Sequence, residues 1–146
     1  MGAVASYAAP KPVSFAIDDN GAMALGSHDI IAFIYTCDRV RARAFYGDSL
    51  GLTLLSEDPF AMIFDAHGIM LRIASVKALA ATSHTVLGWK VPDIVAAVKD
   101  LRAAGIEFEK YDGFGQDDIG IWNSPSGARV AWFKDPDGNT ISLTQF

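Results

Sequence analysis

The chain has 146 residues, 51% of them hydrophobic, with a formal net charge of −5, a pI near 5.0 and a mean hydropathy of +0.22. One domain of this length buries roughly 68–70% of its unfolded surface. An acidic chain without a Lys/Arg cluster has no basic face to neutralise phosphates, so nucleic acid is not an expected partner. The longest apolar run, "IIAFIYTC" at 30–37, is far shorter than the ~18–20 residues that span a bilayer, and no membrane partner is expected either.

In chain order, residues 1–27 come first. "MGAVASYAAPKPVSFA" lacks a basic n-region and carries prolines where an apolar h-region would lie, so it reads as an N-terminal arm and not as a secretory signal. A strand follows at 30–37, ending in Cys37, the only cysteine. It allows no internal disulfide, which suits a cytoplasmic location, and it reads as a packed residue at a strand end. Asp38 then caps a helix with Val40, Ala44 and Phe45 inward and Arg39, Arg41 and Arg43 on the solvated side. Gly51 ends it, "GLTLL" alternates as a strand, and "FAMIFDAHGIMLRIA" (60–74) reads as strand, turn, strand.

After the linker "KALAATSH" (77–84) the same order returns. A strand begins near Thr85, Asp93 caps a helix whose apolar stripe is Ile94, Ala97, Val98 and Leu101, and Gly105 closes it. "GIEFEK" alternates as a strand, and "ARVAWFKDPDGNTISLT" (128–144) is a hairpin whose Pro136 and Gly138 suit a tight turn. Only this half carries "YDGFGQDDIGIWNSPSG" (111–127), a Gly/Asp/Ser-rich segment with Trp122 in it, either a lid or a staple across a sheet edge.

Asp38 to Gly51 spans thirteen residues and Asp93 to Gly105 twelve, so the halves align with one insertion. The expected fold is α+β: a single domain over 28–146 made of two tandem βαβββ modules, 28–76 and 84–146. Together they are expected to form a curved, cleft-enclosing mixed sheet with the helices outside. Duplication makes Arg72 equivalent to Ser142, each four residues past a turn glycine. It makes Ile31 equivalent to Val86, each seven residues before a capping aspartate.

"DRVRARAFYGDSLGLTLL", with its F-Y-x-x-x-L-G ending, and the closing "FKDPDGNTISL" resemble the vicinal oxygen chelate superfamily of glyoxalase I, extradiol dioxygenases and bleomycin-resistance proteins. The resemblance covers roughly 29–146. In metal-dependent members it implies His or Gln on each module's first strand and Glu or His on its last, converging on one divalent cation. Here those four positions hold Ile31, Arg72, Val86 and Ser142, a poor ligand set. His84 lies two residues before Val86, His67 is in a turn and His28 has the wrong strand parity, so none restores the site. Neither metal nor cofactor is expected.

The residues expected to bind a small molecule are Phe33, Tyr35, Arg72, His84, Trp122 and Ser142, with no catalytic residue assigned. Arg72 either holds a carboxylate or phosphate bidentately or makes an internal ion pair. Phe33 and Tyr35 either wall an aromatic ligand or belong to the core. His84 either binds at the rim or is a solvated strand-start residue. Three functions follow. The first is a metal-free binder of a polar or anionic compound, as in the resistance branch. The second is a glyoxalase-like lyase or isomerase, or a dioxygenase-type enzyme, using shifted ligands or Arg72 as electrostatic stabiliser. The third is an interaction module with a filled cleft. Apolar composition and the resemblance both imply a homodimer.

Overall fold

Two aspartates start the two helices in the same way. Asp38 accepts from the Arg41 amide at 3.1 Å, and Asp93 from the Ala96 amide at 3.0 Å. Each satisfies one of the orphan donors of a helix's first turn. The computed structural model describes residues 24–146, so the expected arm lies outside them apart from a 3-10 turn at Leu25–Ser27. From there the chain runs β1 (Ile31–Thr36), α1 (Arg39–Arg43) continuing as a π-helical turn (Ala44–Ser49), β2 (Thr53–Glu57), β3 (Ala61–Ala66) and β4 (Ile69–Ser75). The second module holds β5 (Thr85–Lys90), α2 (Ile94–Ala103), β6 (Trp122–Asn123), β7 (Arg129–Lys134) and β8 (Thr140–Gln145).

The strands form two four-stranded mixed sheets of the same topology, β1-β4-β3-β2 and β5-β8-β7-β6. The α+β class and the two tandem modules are those expected. Duplication holds in register as well: Phe33 stands opposite Arg72, and Gly88 opposite Ser142, each five residues before its capping aspartate.

Period-two alternation gives β1, β4 and β7 a buried and a more open face, while Thr140–Leu143 of β8 are buried on both. Ile34, Phe64, Leu71 and Ile73 of the first sheet share one buried core with Phe133, Ile141 and Leu143 of the second. The Phe45 ring, carried by the first module's π-helical turn, lies 6.2 Å from that of Phe133 on β7. The covered faces of the two sheets therefore share one core, to which Ala42 and Tyr46 of the first module and Ile94 and Val98 of α2 also contribute. The cause is area. A five-residue α1 cannot cover Leu52, Leu54 and Phe64, so the apolar excess of each covered face is buried against the other.

Three local expectations change. Val40 and Ala44 are exposed and Ala42 is buried instead, while Phe45 faces inward as expected; from Ala44 the helix widens, Leu50 N–H donating to the Phe45 carbonyl five residues back, and Tyr46 is buried beside Phe45. Arg39 and Arg43 are not free on a solvated face but clasp Glu57, and Arg39 also donates to the Asp58 carbonyl at 2.7 Å. "GIEFEK" makes a single bridge, Phe108 to Phe133, and β6 takes part of the sheet edge instead.

The Asp135–Asn139 turn holds the modules together. Asp137 accepts from the Thr36 hydroxyl at 2.6 Å and the Cys37 amide at 2.8 Å, and Asn139 Nδ2 donates to the Tyr35 carbonyl at 3.1 Å. Cys37 is exposed, not packed, because the chain swings outward from β1 to α1 there while Asp137 holds its backbone.

Candidate functional site

On the open face of the second sheet, Trp132 stands opposite Ser142, Lys134 opposite Thr140, and Trp122 opposite Val130. Residues 111–121 fold back over this face as an ordered loop. The Gln116 amide accepts from Tyr111 N–H at 2.7 Å and donates to the Glu109 and Gly120 carbonyls, while Asp117 accepts from the Ile119 and Ile121 amides. That scaffold delivers two further rings. Trp132 has Tyr111 at 5.6 Å, Phe114 at 5.8 Å and Trp122 at 5.9 Å, and Phe114 lies 5.5 Å from Trp122. These spacings are those of edge-to-face and tilted aromatic packing.

A cleft of about 330 Å³ opens beside the cluster, lined by Ser83, His84, Thr85, Tyr111, Phe114, Trp132 and Thr140. Burial first, and the charge of Glu109 second, raise the Tyr111 hydroxyl above its ordinary pKa, so it stays a neutral donor at neutral pH. Lys134, which lines a neighbouring pocket with Glu107 and Glu109, donates through Nζ to the Thr82 carbonyl at 2.8 Å and to Thr140 Oγ1 at 3.1 Å, and more weakly to the Gly138 carbonyl at 3.5 Å.

The open face of the first sheet is apolar around two charges, Arg72 and, opposite Met70, Asp65. Ile31, Phe33, Tyr35 and Met70 are all more than 40% exposed, and Arg72 sits in register between Phe33 and Ile63. Among the described residues no carboxylate lies within ion-pair distance of Arg72. Its longer-range field helps hold the Asp58 carboxyl below its usual range, after the larger effect of the Phe60 and Ala61 amides.

The expected binding residues thus fall in two groups. Phe33, Tyr35 and Arg72 share the first open face. His84, Trp122 and Ser142 belong to the second, where Ser142 is buried and its hydroxyl occupies the space that a side chain at Gly88 would need. Sequence reasoning missed Tyr111, Phe114, Trp132 and Lys134. Trp132 was legible from parity, since Ala131 and Phe133 point to the core. The two loop rings carry no periodic signal.

The four positions that the resemblance compares with metal ligands also shift. Ile31 stands opposite Met70, not Arg72, and Val86 is skipped in the pairing where Thr85 meets Thr140 and Leu87 meets Ile141. His67 takes a left-handed turn conformation, with φ of 51°, and His28 is exposed. Among the described residues no group of three His, Cys, Asp or Glu side chains is close enough to hold a metal ion.

A chain of two βαβββ modules, each with a parallel first-to-last strand pair and an open face, defines a vicinal oxygen chelate fold. This chain belongs to the glyoxalase/bleomycin resistance protein/dioxygenase superfamily, whose family model matches residues 27–143. A glyoxalase/bleomycin resistance protein/dioxygenase from Nocardioides is 26% identical, with a TM-score of 0.62 over 82% of this chain and 85% of that one. A bleomycin-binding protein solved with bleomycin is 21% identical, with a TM-score of 0.64 over 82% and 99%. A genomically encoded fosfomycin resistance protein from Listeria monocytogenes is 14% identical, with a TM-score of 0.65 over 82% and 93%. No curated protein matches the sequence. No helix among the described residues is long and apolar enough to cross a membrane.

Proposed function

We propose that this protein is a cytoplasmic, homodimeric binder of a polar or anionic organic small molecule, with a metal-free cleft of the resistance type. The observation that carries the reading is the lining of the open faces: four packed aromatic rings on one sheet, and Arg72 ringed by Phe33, Tyr35 and Met70 on the other. Apolar walls with a few placed polar groups are the usual composition of a ligand cleft. The bleomycin-binding neighbour supports small-molecule binding.

A second copy supplies what one chain lacks. A twofold axis sets the first sheet's open face of one protomer against the second sheet's open face of its partner. Phe33, Tyr35 and Arg72 then face His84, Trp122 and Ser142 across one cleft, and the exposed apolar side chains are covered. At the ligand positions Ile31 and Val86 offer hydrocarbon, Arg72 a cation and Ser142 a hydroxyl, a donor set unsuited to a divalent ion.

The test joins sedimentation, metal analysis and a thermal-shift screen of organic ligands. The reading expects twice the 15.6 kDa chain mass, no stoichiometric metal, and stabilisation by at least one small molecule. A monomer at micromolar concentration, or one equivalent of bound zinc, nickel, iron or manganese, overturns it.

A further inference from the structure

Resting on that reading of the cleft, we infer that the opening beside Trp132 takes an uncharged, flat aromatic molecule that carries a hydroxyl or carbonyl on its edge. The rings supply the first observation. Tyr111, Phe114 and Trp132 all line the cleft, and two of them come from the 111–121 loop. Core packing does not account for Phe114, which is 46% exposed. It is nevertheless held in place. Its amide donates to the Tyr111 carbonyl at 3.2 Å, and Gln116 and Asp117 tie down the chain that follows. An exposed ring fixed beforehand stacks on a planar ligand without a further ordering cost.

The second observation is the absence of charge from the lining. None of the seven residues around the cleft is Asp, Glu, Lys or Arg. Glu109 and Lys134 line a neighbouring pocket instead. Lys134 is engaged by the Thr82 and Gly138 carbonyls and by Thr140 Oγ1. The Thr140 hydroxyl, which does line the cleft, is spent as well: it accepts from Lys134 and donates to the Thr82 carbonyl at 2.7 Å. An ion seated on the rings would give up hydration and meet no fixed counter-charge.

The third observation is a row of unengaged polar groups. The side chains of Ser83, His84 and Thr85, which lead into β5, make no hydrogen bond among the described residues, nor does the Tyr111 hydroxyl. A hydroxyl donates and accepts, so these groups suit an uncharged partner that does either. Register places them beside the rings. Thr85 pairs with Thr140, two residues along β8 from Ser142, which stands opposite Trp132. Two residues are roughly 6.6 Å of strand, a span that one or two fused rings bridge. A cleft of about 330 Å³ has room for them.

Calorimetry on the full chain tests this with 2-naphthol and four analogues. These are naphthalene, decahydro-2-naphthol, 2-naphthoate and 2-naphthyltrimethylammonium. 2-Naphthol is expected to bind about tenfold tighter than its saturated analogue, which keeps the hydroxyl and loses the stacking. It should also exceed naphthalene several-fold, through the hydrogen bond, and both ions about tenfold. Its affinity should not change with ionic strength. Trp132→Leu should bring 2-naphthol down to the level of its saturated analogue. Phe114→Ala, in the exposed loop, should narrow the same gap even if Trp132→Leu does not fold. Ser83→Ala combined with Thr85→Val should remove the advantage over naphthalene and leave naphthalene binding unchanged. A saturated or ionic analogue that binds as tightly as 2-naphthol overturns the inference, as does a stacking preference that survives Phe114→Ala. If none of the five binds while other small molecules do, the aromatic assignment falls and the binding reading stands. If nothing binds at all, both fall.

Discussion

Tyr46 Oη donates to Asp135 Oδ2 at 2.7 Å across 89 residues of sequence, joining the first module's π-helical turn to the second module's closing hairpin. Both residues are buried. The Asp135 carboxylate also accepts from Asn139 Nδ2 and from the Asp137 and Asn139 amides. Full satisfaction makes a buried charge tolerable, and here it links the two modules.

Tyr46→Phe should therefore destabilise by about 1.5–3 kcal/mol, the usual worth of a hydrogen bond to a charged group. Asp135→Ala should cost more, because it strands the Tyr46 hydroxyl and the Asn139 amide together. Urea denaturation checks both. An Asp135→Ala variant no less stable than Tyr46→Phe would show that the network does not hold the modules.

Alkaline pH should act through the same pair. Burial, then the charge and hydrogen bond of Asp135, and last Asp137, push the Tyr46 hydroxyl far above its ordinary pKa of 10.0. The folded state keeps this proton when the unfolded state loses it. The stabilisation is thus fully present below about pH 10 and is lost as pH rises beyond that. Melting temperature followed from pH 8 to 11 should fall above 10, and the fall should be shallower in Tyr46→Phe.

Gly138 is the steric hinge of the hairpin. Its φ is +84°, and an added Cβ would stand 2.8 Å from the Ala81 Cβ of the linker. Gly138→Ala should cost about 1–3 kcal/mol from left-handed strain and overpacking together. Adding Ala81→Gly should recover the overpacking part only, a partition that a double-mutant cycle reads directly.

Arg72→Met retains much of the apolar stem and removes the charge and all five donors. For a polar or anionic ligand the affinity should fall about ten- to a hundredfold, matching a charged hydrogen bond of roughly 1.5–3 kcal/mol. Folding should change little, since no carboxylate pairs with Arg72 among the described residues. Large destabilisation with unchanged affinity would instead make Arg72 a structural ion-pairing residue.

The sequence by itself determined the repeating unit, because its signals are local. Asp38 and Asp93 cap helices with their own side chains, Gly68 and Gly138 turn hairpins through φ of +87° and +84°, and strand parity puts Arg72 and Ser142 on open faces. Phase was less legible where local geometry departs from the ideal: a five-residue helix running into a π-helical turn buries Ala42 and Tyr46 and leaves Val40 outside, and the pairing slip at Val86 broke the parity of β5. Only the tertiary structure decided which faces meet. Nothing in either module's pattern says whether its covered face or its open face turns towards the other module. That choice rests on contacts far apart in sequence, Phe45 with Phe133 and Tyr46 with Asp135. The same is true of the aromatic cluster, whose Tyr111 and Phe114 come from an aperiodic loop. They reach Trp132 because the Gln116 and Asp117 side chains satisfy that loop's backbone and fold it over the sheet.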